Sequence, residues 1–153
     1  MPGFVQLVDE HGDLLHVEHI GTEQHLIVET HARISSHWKV ASTTSAATTV
    51  IVQPKAGGSI VVTDIIAVQN KVASGSLIIQ FTDGTNTEIL FEGSSADAPI
   101  VLSHAFSGRM DGWQDARVEM ISAGTNPTTN VIVVYFHLKG IGVKSYGDWD
   151  GER

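Results

Sequence analysis

No cysteine occurs in the 153 residues, which removes disulfides, thiolate metal sites and cysteine nucleophiles from consideration. No run approaches the roughly 18 apolar residues that a membrane-spanning helix needs, so no membrane partner is expected. The opening Met1-Pro2-Gly3-Phe4-Val5 lacks the basic patch and apolar stretch of a signal peptide, and folding in a cytoplasm is the expectation. Basic residues are scarce, with nine Lys and Arg against 17 Asp and Glu for a net charge of −8. The imbalance is steepest at the start, where Asp9, Glu10, Asp13, Glu18, Glu23 and Glu29 face the single Arg33 across residues 1–38. Nucleic-acid binding relies on clustered Lys and Arg. DNA and RNA are therefore not expected partners.

What is present points to strands. Hydrophobic residues make up 42% of the chain, enough for a folded core. Val and Ile dominate them, with abundant Thr, Ser and Gly, a mixture suited to pleated sheets and tight turns. Three segments follow: an acidic, His-rich arm over 1–37, a strand-rich body over 38–139 and a polar tail over 140–153. The body divides into eight strands near Trp38–Ser42, Thr48–Gln53, Ser59–Asn70, Ser76–Thr82, Thr87–Glu92, Ala98–Ser103, Ala116–Ala123 and Asn130–Lys139. This predicts an all-β fold, an antiparallel β-sandwich or jelly roll, with an extended N-terminal β-hairpin arm and a short C-terminal tail.

The separators have physical causes. Pro54 removes a ladder donor and Gly57-Gly58 frees the backbone. Asp83-Gly84-Thr85-Asn86 is the strongest hairpin signal, and Gly124-Thr125-Asn126-Pro127 supplies another turn. Gly93-Ser94-Ser95 and Gly108 to Gly112 are read as longer loops. In Ser76–Thr82, Leu77, Ile79 and Phe81 share one face. The last strand is apolar on both faces, with Val131, Val133 and Tyr135 on one and Ile132, Val134, Phe136 and Leu138 on the other. It should be buried on both sides or line a subunit contact. In the arm, Leu14–Ile20 and Gln24–His31 form a candidate hairpin. Such a hairpin is marginal by itself and should dock onto a partner, another subunit or the body.

Histidine is the residue that most suggests chemistry: His11, His16, His19, His25, His31 and His37 all lie in the arm. A three-residue loop Gly21-Thr22-Glu23 would set His19 opposite His25, near enough to share zinc or nickel. A polar face of exposed or interfacial imidazoles, or a contact that charges below about pH 6.5, explains the same residues. Carboxylates that could flank a cleft are Glu88 with Glu92 and Asp111 with Asp115. His104, Ser103, Ser107 and Asp111 are triad residue types without a Gly-x-Ser-x-Gly elbow. The body offers only His104 and His137 as imidazoles, which argues against a jelly-roll metalloenzyme. No catalytic residue and no cofactor are therefore expected. Trp38 at a strand start is a core or interface plug, and Trp149 in the polar tail is a candidate anchor into a neighbouring subunit.

Several stretches resemble small tailed-phage virion proteins. They are Trp38-Lys39-Val40-Ala41-Ser42-Thr43-Thr44, Thr48-Thr49-Val50-Ile51-Val52, Gly58-Ser59-Ile60-Val61-Val62-Thr63-Asp64, Gly75 to Gly84, and Gly112-Trp113-Gln114-Asp115-Ala116. The opening Val5-Gln6-Leu7-Val8-Asp9 followed by Gly12-Asp13 is similar to their leading segment. The resemblance implies a jelly roll, often trimeric, on a phage head, neck or tail fibre, found in the virion and in the host cytoplasm during assembly. It implies a capsid decoration or head-fibre role, with a homotrimer as self-partner and the major capsid protein or another virion protein as the second partner. Phe4, Val5, Leu7, Leu14 and Val17 in the arm, with Trp38 and Trp149, are the expected partner-binding residues. The competing expectation is a receptor-binding module that grips a cell-surface glycan, with an exposed Trp113 beside the Gly108–Gly112 loop as its stacking platform.

Overall fold

The computed structural model describes residues 17–20, 23–26, 37–140 and 142–148, with the backbone alone described for the first two stretches and for 107–109. Two compact units divide the chain at Ile34/Ser35. In the first, β1 (Val17–Ile20) and β2 (Glu23–Leu26) pair antiparallel. The second holds eight strands: β3 (His37–Thr43), β4 (Ala47–Val52), β5 (Ser59–Gln69), β6 (Ser76–Thr82), β7 (Thr87–Ser94), β8 (Ile100–Asp111), β9 (Arg117–Ala123) and β10 (Thr129–Leu138). A 3₁₀ turn, Tyr146–Asp148, follows.

These eight strands form two four-stranded antiparallel sheets, ordered β3-β10-β5-β8 and β4-β9-β6-β7. Successive strands cross between sheets everywhere except at the β6–β7 hairpin, which is the strand order of a jelly roll. The core lies between the sheets. Leu77, Ile79 and Phe81 of β6 are fully buried, as their alternation predicts, and meet Val131 and Val133 of β10 and Ile65 and Ala67 of β5. One end of the sandwich is closed by a polar network. The Gln69 amide on β5 donates to Ser122 Oγ on β9 (3.0 Å), Thr129 Oγ1 on β10 (2.9 Å) and the Ser76 carbonyl on β6 (3.1 Å).

Turn chemistry acts where it was expected. After Thr82 the chain reverses through Asp83–Asn86, with the Asp83 carboxylate accepting from the Thr85 and Asn86 backbone N–H groups (2.8 and 2.7 Å). Gly84 there has φ of 96°, which suits a residue without Cβ. Two loop assignments are corrected. β7 runs through Gly93 to Ser94, and β8 continues past Ser103 through Gly108 to Asp111. The physical reason in β8 is a bulge: Val62 pairs with Met110 and Asp64 with Ala105, so residues 106–109 stand against Thr63 alone. Gly108 sits inside that bulge, where a strand bends without ending.

Candidate functional site

The constellations that could carry chemistry do not assemble among the described residues. In the arm the register pairs Ile20 with Glu23, His19 with Gln24 and His25 with Glu18. The expected His19–His25 pair is thus corrected by one residue, because Glu23, expected in the loop, pairs with Ile20 as part of β2. His11, His16 and His31 lie outside the described residues. No group of three or more His, Cys, Asp or Glu that could hold a metal ion exists among the described ones. On β8, Ser103 pairs with Ile66 and His104 with Ile65. Successive strand residues face opposite sides, so hydroxyl and imidazole are separated by the sheet. Glu88 pairs with Phe81 and Glu92 with Ile78, and the register jump at Leu90 puts the two carboxylates on different faces. Asp115 serves a turn, its Oδ1 accepting from the Gly57 N–H at 2.8 Å.

Three histidines have a structural setting. His37, Tyr135 and His137 form a ring cluster with centroids 5.3 to 6.0 Å apart. Desolvation lowers the His137 pKa from its ordinary value, helped by the positive charges of Lys55 and His37. His104 stacks edge-on against Phe106 with centroids 4.7 Å apart. Beside them a small apolar pocket of about 160 Å³ is lined by Ile65, Leu90, Phe91, Leu102, His104 and Phe106.

Trp113 corrects the glycan expectation. It is 1% exposed and belongs to the core. Its indole Nε1–H donates to Asp83 Oδ2 at 2.8 Å, and its ring meets Phe81 and Tyr146 edge-on at 6.3 and 4.9 Å. A ring enclosed in this way has no face for a sugar. The four hydrogen bonds to the Asp83 carboxylate, those from Asn86 foremost, hold its pKa well below the usual carboxylate range.

The feature that stands out is an outer sheet face. On β3-β10-β5-β8 the registers align three rows facing away from the core: Ser42–Asn130–Val68–Val101, Val40–Ile132–Ile66–Ser103 and Trp38–Val134–Asp64–Ala105. Seven of these twelve positions carry large apolar side chains and only one, Asp64, is charged. Trp38 is 68% exposed, Val101 78%, and Val40, Ile66 and Val68 between 42 and 49%. Trp38 is therefore not a core plug. The outer face of the other sheet differs. There Gln80 Nε2 donates to Glu119 Oε1 (2.8 Å) and Arg117 Nε donates to Glu119 Oε2 (3.1 Å). Val50 and Ile89 are exposed on that face too, but Glu119 and Gln80 separate them in their row.

Two solved structures resemble part of this fold. Both are described as a pentameric capsid protein isolated from metagenomic phage sequences, one of them solved by iodide SAD phasing, each 16% identical with a TM-score of 0.41. The likeness covers 69% of this chain and 62% and 63% of theirs, so the chain spans less than two thirds of either. No family model matches the chain, and no curated protein does.

Of the expected partner-binding residues, Phe4, Val5, Leu7, Leu14 and Trp149 lie outside the described ones. Val17 opens β1 opposite Leu26, and Trp38 stands at the β3 edge of the apolar face. Residue-by-residue reading passed over Val40, Ile66, Val68 and Val101. A signal was present: β3 and β5 carry apolar residues at both parities, as β10 does. Four strands at about 4.8 Å spacing and three alternate rows give the face a projected area of about 400 Å². The seven large apolar positions take about 230 Å² of that projection, and contiguous exposed apolar surface of a few hundred Å² is a feature often tied to function.

Proposed function

We propose that this chain is a structural component of a bacteriophage particle, of the capsid decoration or head-fibre type, which works as an oligomer and catalyses no reaction. The observation that carries the assembly part is the outer face of β3-β10-β5-β8, with one charge among twelve aligned positions against a salt-bridged face on the opposite sheet. Exposed contiguous apolar surface of this kind marks association. Its placement on a phage particle is supported by the sequence likeness of residues 38–44, 48–52, 58–64, 75–84 and 112–116 to small virion proteins, and by the jelly-roll strand order.

Within this reading, residues 1–37 contact the major capsid protein or another virion protein, and the body contacts sister subunits. Mass spectrometry and immunogold labelling of purified particles of the encoding phage test the assignment. The chain should appear as a multicopy surface component, and its absence from washed particles would sink the reading. Removing residues 1–37 separates the two roles. The truncated body should lose attachment to particles; a body that still attaches overturns the role given to the arm.

A further inference from the structure

A strand at the end of a sheet offers backbone N–H and C=O groups along one side, and folded proteins block such edges with charge, proline or a bulge. The two body sheets end in β3, β8, β4 and β7, and three of these edges are blocked. β3 carries the exposed Lys39. β4 slips register between Val50 and Val52 and runs on into Pro54. β7 carries Glu88 and Glu92 and slips at Leu90. β8 differs. From Ile100 to Ala105 it pairs in unbroken register with Gln69 to Asp64, and its bulge begins only afterwards. Those residues, Ile100-Val101-Leu102-Ser103-His104-Ala105, include no Asp, Glu, Lys, Arg, Pro or Gly and present about 20 Å of extended backbone.

Beside this edge lies the pocket of about 160 Å³ that Leu90 and Phe91 of β7 share with Leu102, His104 and Phe106 of β8. Leu102 and His104 pair with the core residues Ala67 and Ile65, so both point between the sheets, and His104 is nevertheless exposed. A cavity of about 150 Å³ with similar walls accepts a benzene ring, so this one has room for a single Leu- or Phe-sized side chain. A strand added along β8 would set alternate side chains beside Leu102 and His104, into that space. The intervening ones would lie beside Val101, which is 78% exposed. Charge narrows the partner further. Residues 72–108, which span β6, β7 and β8 as far as Gly108, hold Asp83, Glu88, Glu92 and Asp97 and no Lys or Arg. Asp64 adds another acid opposite Ala105.

We propose that the β8 edge from Ile100 to Ala105 binds an extended, basic segment of another protein, which adds as a strand and seats one Leu or Phe side chain in the pocket. In this mode main-chain hydrogen bonds along the edge supply affinity, and the side-chain pocket supplies specificity. Lys or Arg flanking the apolar residue complements the acids around the edge. A second copy of this chain is a poorer occupant, because its own β8 run offers no basic residue and its net charge is −8. Needing no sister subunit, the contact stands apart from the assembly reading above.

The test titrates the full chain with the end-capped peptide Lys-Thr-Val-Phe-Val-Thr-Lys, whose alternation sets Phe on one face and Val on the other, and follows backbone amide shifts by NMR. Shifts should concentrate in residues 100–105 and 89–91. Replacing the peptide's Phe by Ala should weaken binding at least about 10-fold through lost apolar burial. Replacing both its Lys residues by Glu should do the same at low salt, and that difference should shrink as salt is raised. On the protein, His104→Lys puts an ammonium at the mouth of the pocket, at an exposed position, and should weaken binding at least about 10-fold. Val50→Lys on β4 adds the same charge at the opposite edge of the other sheet and should leave binding unchanged, with circular dichroism reporting folded protein for both. No binding at about 1 mM peptide, indifference to the loss of Phe or to His104→Lys, or equal binding of the Glu peptide overturns the proposal. So does a wild-type dimer that His104→Lys dissociates and no peptide displaces, which would give the edge to a second copy. None of these results bears on the presence of the chain in particles, which mass spectrometry decides separately.

Discussion

Replacing Asp83 by alanine tests whether one turn carboxylate holds the sandwich together beyond its own hairpin. The carboxylate accepts four hydrogen bonds: from the Thr85 and Asn86 backbone N–H groups, from Asn86 Nδ2 at 2.9 Å, and from Trp113 Nε1 at 2.8 Å. The donors are not equivalent. Thr85 is exposed, and the turn as a whole can recover water, so the three local bonds together contribute about 1 kcal/mol. Trp113 is 1% exposed, and loss of a charged acceptor for a buried donor costs about 2 kcal/mol. The expected total is about 3 kcal/mol, read as a lower urea midpoint with unchanged slope at one fixed protein concentration. In a Trp113→Phe background the indole donor is already gone, and Asp83→Ala should cost only about 1 kcal/mol. The coupling of about 2 kcal/mol is the decisive number; additivity within about 0.5 kcal/mol would refute the account. Acid supplies a second check. The folded-state pKa of Asp83 is depressed, so its stabilisation is fully present above the unfolded value of about 3.9 and is lost as pH falls toward the folded value. Wild type should lose more stability than Asp83→Ala between about pH 4 and pH 2.

Three further outcomes follow from the same structure. Gln69→Leu should cost about 2 kcal/mol in urea unfolding, because the Ser76 carbonyl loses its donor while Ser122 and Thr129 keep their mutual 2.8 Å bond; a neutral result would show that the network is dispensable. The His137 imidazole, its pKa lowered by desolvation and then by Lys55 and His37, should titrate below about 6.5 by NMR. Its folded pKa is depressed, so stability is intact above the unfolded pKa and falls below it, and His137→Gln should flatten the decline between about pH 6.5 and pH 5. Gly75→Ala should cost about 1–3 kcal/mol by thermal melting, since a Cβ there would overlap Ser95 Oγ and Val72 Cγ2.

Much of the body was legible because its signals are local. The eight strands follow alternation and turn residues, and Ser76–Thr82 buries Leu77, Ile79 and Phe81 as their spacing predicts. The failures arise where a distant partner decides. Nothing near Trp113 announces that its indole meets Asp83, thirty residues earlier in the chain. A neighbouring Gly108–Gly112 stretch that looked like an open loop made an exposed ring plausible, whereas β8 bulges at 106–109 and resumes pairing at Met110 and Asp111. The His19–His25 expectation failed through register alone. A shift of one residue moves every cross-strand pair, and any site built on such a pair goes with it.

The apolar sheet face lies between these cases, and it shows what a single chain can encode about assembly. β10 has apolar residues at both parities, and the same holds for β3 and β5. From sequence this means two covered faces, without specifying what covers the second. Only the registers place Trp38, Val40, Ile66, Val68, Val101, Ile132 and Val134 on one surface. The opposite sheet supplies the contrast. Its central strands turn Ile78 and Ile121 outward as well, but beside them β6 and β9 place Gln80, Glu119 and Arg117 outward and join them by hydrogen bonds. A fold that needed only a core would have no use for this difference between its two outer faces. Hydrogen bonds among Gln80, Glu119 and Arg117 satisfy the polar groups of one face, while the other carries exposed apolar side chains of the kind that marks association.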